Sequence, residues 1–108
     1  MLNKTNRLAK DKDIQAAFAR GRSFFNPFYR VKFLPKPEGR RFVVVVSTKV
    51  FKKAVDRNRL KRLLREQLRP RLQEFKTGDY VISASPKLSG LKEADRLKQF
   101  LLALNNIR

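Results

Sequence analysis

The residues with the clearest chemistry are the arginines and lysines between Arg57 and Glu66, where the sequence is RNRLKRLLRE. On a helix that turns by about 100° per residue, the leucines fall on one face and the cations gather on the opposite face. Glu66 is the only acid between Arg57 and Arg71, against seven basic residues. Because like charges along one helix face repel each other, a polyanion is the partner expected to stabilise this face.

Guanidinium groups bind phosphate oxygens through paired hydrogen bonds, so this helix is predicted to lie against nucleic-acid phosphates. The side chain of Asn58 can hydrogen-bond either to RNA or to the backbone near the helix start. A solvated helix face is the simpler alternative, but such faces normally carry both signs of charge. The predicted RNA-binding residues are Arg57, Asn58, Arg59, Lys61, Arg62, Arg65 and Arg69.

Candidate catalytic groups are sparse in this sequence. The chain has no histidine and no cysteine, so the usual general base and the thiolate nucleophile are both missing. Its nine acidic residues mostly stand at helix starts and turns, where capping and the helix dipole explain them. We therefore predict no catalytic residue, no metal site and no cofactor in this protein.

The overall charge indicates the class of partner. The 108 residues include 27 lysines and arginines against nine acids, which gives a formal net charge of +18. Nucleic acid is the leading partner for such a chain, and an anionic membrane surface is the rival. No apolar run approaches the roughly 18 residues of a membrane-spanning helix, and the N-terminus has no apolar signal segment. With no cysteine, we expect a cytoplasmic protein without a membrane partner or small-molecule substrate.

The elements that must position these residues can be traced from the N-terminus. Residues 1–10 are polar and basic, and they predict an extended arm. A first helix is expected to follow, capped by Asp11 or Asp13 and ending at Arg20, with Gly21 as its stop signal.

The middle of the chain predicts strands around the basic helix. Residues 29–33 alternate between apolar and basic side chains, which indicates a strand with one basic face. The continuous β-branched run 42–46 predicts a strand covered on both faces. The basic helix should begin between residues 52 and 57, and Pro70 should end or kink it.

A further buried strand is predicted over residues 80–84, and a last helix after Pro86. The predicted fold class is α+β, a single-domain α/β sandwich over residues 1–108. Its predicted element order is α-β-β-β-α-β-α, with a strand–helix–strand (βαβ) crossover between residues 42 and 84.

The stretch AVDRNRLKRLLRE, residues 54–66, resembles the signature of the protein subunit of bacterial ribonuclease P. In that family a strand ending in Val-Ser-x-Lys leads into Ala-Val-x-Arg-Asn-Arg-x-x-Arg-x-x-Arg. This chain supplies Val46, Ser47, Lys49, Ala54, Val55, Arg57, Asn58, Arg59, Arg62 and Arg65. Asn6-Arg7-Leu8 and a helix ending in Phe18-x-x-Gly21 resemble the family's N-terminal segment. The resemblance implies a four-stranded sheet whose βαβ crossover is left-handed, against the usual preference.

The same resemblance implies a function. Ribonuclease P removes the 5′ leader from precursor transfer RNA, and in the bacterial enzyme an RNA subunit performs this endonuclease (hydrolase) reaction with bound magnesium. The family's protein binds that catalytic RNA, contacts the leader and strengthens binding of metal and substrate. The alternative is a general structural RNA-binding or ribosomal protein without a catalytic RNA partner.

The resemblance also implies a leader-binding cleft between the first helix and the sheet, lined by aromatic residues. Phe18 matches one such position, Ile14 stands where the family more often has Phe, and Lys32 lies near a strand position that is often aromatic. Each aromatic residue could instead belong to the core. The loop 49–53 is one residue longer than in many members and brings cations to the cleft entrance. The predicted cleft residues are Ile14, Phe18, Tyr29, Lys32, Phe33, Lys49 and Lys53.

Overall fold

A computed structural model describes residues 3–107. The helices and strands are α1 (Asp11–Arg20), β1 (Arg22–Phe25), β2 (Tyr29–Pro35), β3 (Arg40–Val45), α2 (Ala54–Leu68), β4 (Gly78–Ala84) and α3 (Glu93–Asn105). Short 3-10 turns occupy Lys4–Asn6, Arg69–Glu74 and Pro86–Gly90. The order α-β-β-β-α-β-α confirms the predicted α+β fold class.

The four strands form one sheet in the order β1-β2-β4-β3. β2 pairs antiparallel with both β1 and β4, whereas β3 and β4 are parallel neighbours. Because parallel neighbours cannot be joined by a tight hairpin, the chain passes from β3 to β4 through α2. The predicted βαβ crossover is therefore confirmed, while its left-handed sense stays a prediction.

The position of β3 in the sheet corrects one prediction. β4 is central, and its residues Tyr80, Val81 and Ile82 are fully buried. β3 lies at an edge, and Val45 near its end is 37% exposed. The prediction that 42–46 is covered on both faces holds at Val43, which packs against the smaller core, but it is wrong at Val45, whose side chain is exposed.

Helices cover both faces of the sheet. The larger core, on one face, receives the leucine stripe of α2, which consists of Leu60, Leu64 and Leu68. The smaller core, on the other face, joins Ala17 of α1 to Val81 of β4. Burying one stripe of α2 against the sheet leaves its basic face outward, as its spacing predicted.

The N-terminal segment does not form the predicted extended arm over 1–10. Lys4–Asn6 is a 3-10 turn, and Leu8 is buried in the smaller core. The backbone N–H of Leu8 donates to the carbonyl oxygen of Phe42 at 2.9 Å, and Arg7 bridges to the same residue. The segment is therefore docked along the free edge of β3, and the first two residues of the chain lie outside the described part.

The ends of α1 differ from the predicted signals. Lys10 occupies the N-cap position and no side chain caps the helix; Asp13 instead contacts Arg41 at 3.4 Å. Gly21 does follow the helix, but in an extended conformation. A β-carbon there would lie 2.4 Å from the carbonyl oxygen of Ala17, so the position requires glycine for space rather than for a left-handed turn.

Candidate nucleic-acid interface

The basic helix α2 presents a ridge of polar side chains along its outer face. Asn58, Arg62 and Arg69 are exposed, and Arg65 is half-buried beside them. A shallow hollow of about 420 Å³ opens at the start of this ridge, and Val55, Asn58 and Arg62 line it. We call Asn58, Arg62, Arg65 and Arg69 the α2 ridge, and the charge and exposure of these side chains fit a phosphate backbone.

Two of the predicted RNA-binding arginines are engaged within the protein. Nη1 of Arg57 donates to the carbonyl oxygens of Phe51 at 3.0 Å and Lys52 at 2.7 Å, which holds the loop before α2. Arg59 binds the Glu93 carboxylate through two hydrogen bonds, of 2.8 Å and 3.2 Å. The hydrogen bond that Arg59 donates to the Glu93 carboxylate raises the pKa of Arg59, and the same contact lowers the pKa of Glu93. Any phosphate that binds the Arg59 guanidinium must therefore compete with Glu93.

The other cations of α2 are available. Lys61, Arg62 and Arg69 make no hydrogen bond or ion pair within residues 3–107. Asn58 makes no side-chain hydrogen bond within the same range, so the local backbone contact considered as its alternative is wrong. Pro70 lies in the 3-10 turn after Leu68 and ends the α-helix rather than kinking it. These side chains can therefore reach a partner without breaking a hydrogen bond or an ion pair within residues 3–107.

Arg65 stands beside a cation that its own helix does not supply. Burial lowers the pKa of Arg65, and the positive charge of Arg7 lowers it further. Neighbouring like charges favour the binding of an anion. Arg7 was not predicted to lie near Arg65, although the segment Asn6-Arg7-Leu8 that resembles the family was a signal for its position.

The cleft beside α1 is bounded by one row of residues across the sheet. Val45, Ser83, Arg30 and Phe25 are successive cross-strand neighbours on β3, β4, β2 and β1. Neighbouring residues in register share a face, and here each side chain is exposed or half-exposed. α1 packs over the smaller core nearer the start of β3 and β4, so it leaves this row uncovered. We call these four residues the open row.

Three of the predicted cleft residues lie on the α1 side of the sheet. Phe18 on α1 is 40% exposed, which is unusual for a phenylalanine next to a core residue. Ile14, one turn earlier, packs against the smaller core. Lys32 is half-exposed and pairs with Val81, the residue on which α1 rests. An aromatic ring and a cation on the same side of the sheet are the combination that binds unpaired nucleotides.

The prediction that Tyr29 or Phe33 lines this cleft is wrong. Both are buried in the larger core on the opposite face of the sheet. The Tyr29 hydroxyl donates to the carbonyl oxygen of Arg96 at 3.0 Å, and the Phe33 ring stacks on Tyr80 with centroids 4.7 Å apart. Side chains alternate along a strand, so residues an odd number of positions from Lys32 face away from it. Applied to the sequence alone, this alternation could have excluded Tyr29 and Phe33 from the predicted cleft.

Lys49 and Lys53 lie exposed in the loop between β3 and α2, whose Val50 is buried in the larger core. The loop leaves β3 at the end where Val45 stands, so both lysines occupy the same end of the sheet as the open row. Contact of either lysine with the leader stays a prediction.

Within the part of the chain that the structure describes, no three His, Cys, Asp or Glu side chains are grouped so that they could hold a metal ion. No helix between residues 3 and 107 is long and apolar enough to cross a membrane. The surface instead offers cations, an amide and aromatic rings. A basic helix face on one side of the sheet, with exposed aromatic and basic side chains on the other, is typical of a nucleic-acid-binding protein.

Comparison with known proteins identifies which kind. The family model described as Ribonuclease P matches residues 2–108. The chain is 35% identical over 94 residues to the ribonuclease P protein component of Exiguobacterium sp., covering 87% of this chain and 82% of that protein. It is 38% identical over 105 residues to that of Dehalococcoides mccartyi, covering 94% and 85%. A solved Staphylococcus aureus RNase P protein superposes with a TM-score of 0.86 at 24% identity, covering 94% of both chains.

The chain belongs to the ribonuclease P protein family. Its members are protein components of ribonuclease P, an endoribonuclease, and this chain is such a component. The alternative of a general structural RNA-binding or ribosomal protein is set aside by the same matches.

Proposed function

We propose that this chain holds the catalytic RNA of ribonuclease P against the α2 ridge and the 5′ leader of precursor transfer RNA in the cleft beside α1. The observation that supports this most is the shared position of the two surfaces. β3 ends at the end of the sheet where the open row lies, and α2 begins after the following loop, at Ala54. One RNA can therefore lie on α2 while an unpaired strand reaches the cleft.

The proposed contribution of the chain to cleavage is binding and charge neutralisation. Guanidiniums on the α2 ridge offset the repulsion between two RNAs brought together, and Phe18 with Lys32 fixes the path of the leader. Magnesium, expected at the active site of the RNA, supplies the metal chemistry when bound. The proposal places the protein in the cytoplasm with precursor transfer RNA as its substrate and with neither a membrane partner nor a small-molecule substrate.

Reconstitution tests this proposal. Adding the protein to its cognate catalytic RNA is expected to lower the magnesium concentration needed for half-maximal cleavage of a leader-bearing precursor. The reason is that cations of the protein replace part of the metal's role in screening phosphates. Cleavage is measured across a magnesium titration, with the protein alone as a control that should cut nothing. A folded, active catalytic RNA that gains nothing from the protein would overturn the proposal.

The Phe18→Ala variant is expected to bind a leader-bearing precursor about 1–3 kcal/mol more weakly, since stacking of a base on an aromatic ring has that magnitude. Affinity for mature transfer RNA should barely change, because it has no leader to stack. Equilibrium binding of both RNAs by the reconstituted holoenzyme measures the difference.

The matched control is Leu102→Ala on α3, which removes a similarly exposed apolar side chain from the opposite side of the sheet. It should affect neither RNA. Equal losses for precursor and mature transfer RNA with Phe18→Ala would contradict a role in leader binding.

A further inference from the structure

A cavity of about 290 Å³ lies at the tip of the β1–β2 hairpin, where the open row reaches the far edge of the sheet. Its walls include Phe25, Arg30, Ser83 and Ser85. The first three of these belong to the open row, and Tyr29 and Ala84 from the other face of the sheet line the cavity as well, so it lies at the end of the sheet next to the open row. Neither the resemblance to the family nor the proposed function assigns a role to Phe25, Arg30, Ser83 or Ser85.

Phe25 is the unusual residue of this cavity. It is 71% exposed, whereas its neighbour Phe24 packs against the larger core on the other face. Its cross-strand partner is Arg30, and residues opposed in this way have their β-carbons about 5 Å apart. An exposed ring paired across the strands with an exposed arginine offers a base-stacking surface and a phosphate contact within reach of one nucleotide.

The hairpin that carries Phe25 is held rigidly. Oδ1 of Asn26 accepts hydrogen bonds from the backbone N–H groups of Phe28 and Tyr29, both at 2.9 Å. The amide of Asn26 also donates to the carbonyl oxygen of Gln99 on α3 at 3.2 Å. A platform fixed before binding loses little conformational entropy when a ligand lands on it, so the stacking energy is retained as affinity.

We propose that this cavity is a further subsite for one unpaired nucleotide of the 5′ leader, whose base stacks on Phe25 and whose phosphate contacts Arg30. Ser83 offers a hydroxyl to the sugar or the base edge. This inference rests on the proposed function and extends it to a part of the leader that Phe18 and Lys32 do not reach.

The leader is the expected occupant because of where the cavity lies. β1 is three strands away from β3, which is about 14 Å across the sheet at about 4.8 Å per strand. A catalytic RNA bound along α2 enters from the β3 side, whereas a single strand that crosses the open row arrives at β1. The nucleotide in this subsite is therefore farther from the cleavage point than the nucleotide at the entrance near Lys49.

Precursors with a series of leader lengths test the subsite in the reconstituted holoenzyme. Wild-type affinity should rise with leader length until the subsite is filled. Phe25→Ala should remove the last step of that rise, a loss of about 5- to 150-fold that appears only with long leaders. Phe25→Tyr should restore it, because the ring is kept.

Arg30→Gln should reduce the slope of log affinity against log salt by about 0.7 to 0.9 with long leaders, and leave short ones unchanged. Leu102→Ala is the control for an exposed apolar side chain, and Lys98→Gln is the control for an exposed cation, since both lie on α3. Neither control should alter the dependence on leader length.

Three outcomes would overturn the subsite. Phe25→Ala could match the wild type at every leader length, it could weaken binding equally with leaderless RNA, or it could change the oligomeric state by gel filtration instead of RNA affinity. The wild type in the same assay separates the two proposals. If it stimulates the catalytic RNA while Phe25→Ala behaves as wild type, only the subsite fails; if the wild type gives no stimulation, the proposed function fails and the subsite with it.

Discussion

Replacing Arg62 and Arg69 together with glutamine is expected to weaken binding of the catalytic RNA by about 10- to 100-fold at a salt concentration of about 0.1 M. Both side chains are exposed and neither has a hydrogen-bond or ion-pair partner within residues 3–107, so their charges are available for phosphate. Each lost phosphate contact removes roughly 0.7 to 0.9 from the slope of log affinity against log salt. The double variant should therefore lower that slope by about 1.4 to 1.8.

A salt series with the double variant and a charge-matched control measures this effect. Lys76→Gln with Lys98→Gln removes the same net charge from exposed positions in the turn before β4 and on α3. The control should lose little affinity, because long-range attraction is screened within about 10 Å at this salt concentration. Equal losses in the two variants would mean that net charge, rather than the α2 ridge, provides the affinity.

Arg57 and Arg59 were left out of this variant for a structural reason. Arg57 holds the loop before α2 through two backbone carbonyls, and Arg59 is tied to Glu93 on α3. Their replacement would disturb the protein as well as the RNA contact. A loss of RNA affinity in such variants could not be assigned to phosphate binding alone.

Asp79→Asn is expected to lower the free energy of unfolding by about 2–4 kcal/mol. Asp79 is only 1% exposed, and its two carboxylate oxygens each accept a hydrogen bond from Arg41 at 2.9 Å. An asparagine removes the negative charge and presents an N–H₂ group to a guanidinium that can only donate. A domain of this size has about 5–15 kcal/mol of stability in total, so the loss is a large fraction.

The same substitution should also weaken the attachment of α1, which borders the cleft, to the sheet. Arg41 contacts Asp13 on α1 as well as Asp79 on β4, so this small network ties α1 to the sheet. Urea denaturation measures the stability change, with Asp95→Asn on the exposed side of α3 as the matched control. A decrease of less than about 1 kcal/mol would contradict a stabilising role for the buried pair.

Short-range patterns were sufficient for much of this protein. The leucine stripe and the cations of α2 could be assigned to opposite faces because a helix repeats every 3.6 residues, whatever surrounds it. The order of helices and strands followed from the same kind of local pattern. The ordered motif around Asn58 then indicated the family, which the comparisons confirmed.

Long-range geometry determined the rest. Strand order places β3 at an edge and aligns Phe25 with Arg30, Ser83 and Val45, and no local pattern encodes which strands become neighbours. The partner of Arg59 lies 34 residues away on another helix. The cations and the family follow from spacing along one chain, whereas the open row depends on strand register and on how far α1 covers the sheet, which are set by packing between distant segments.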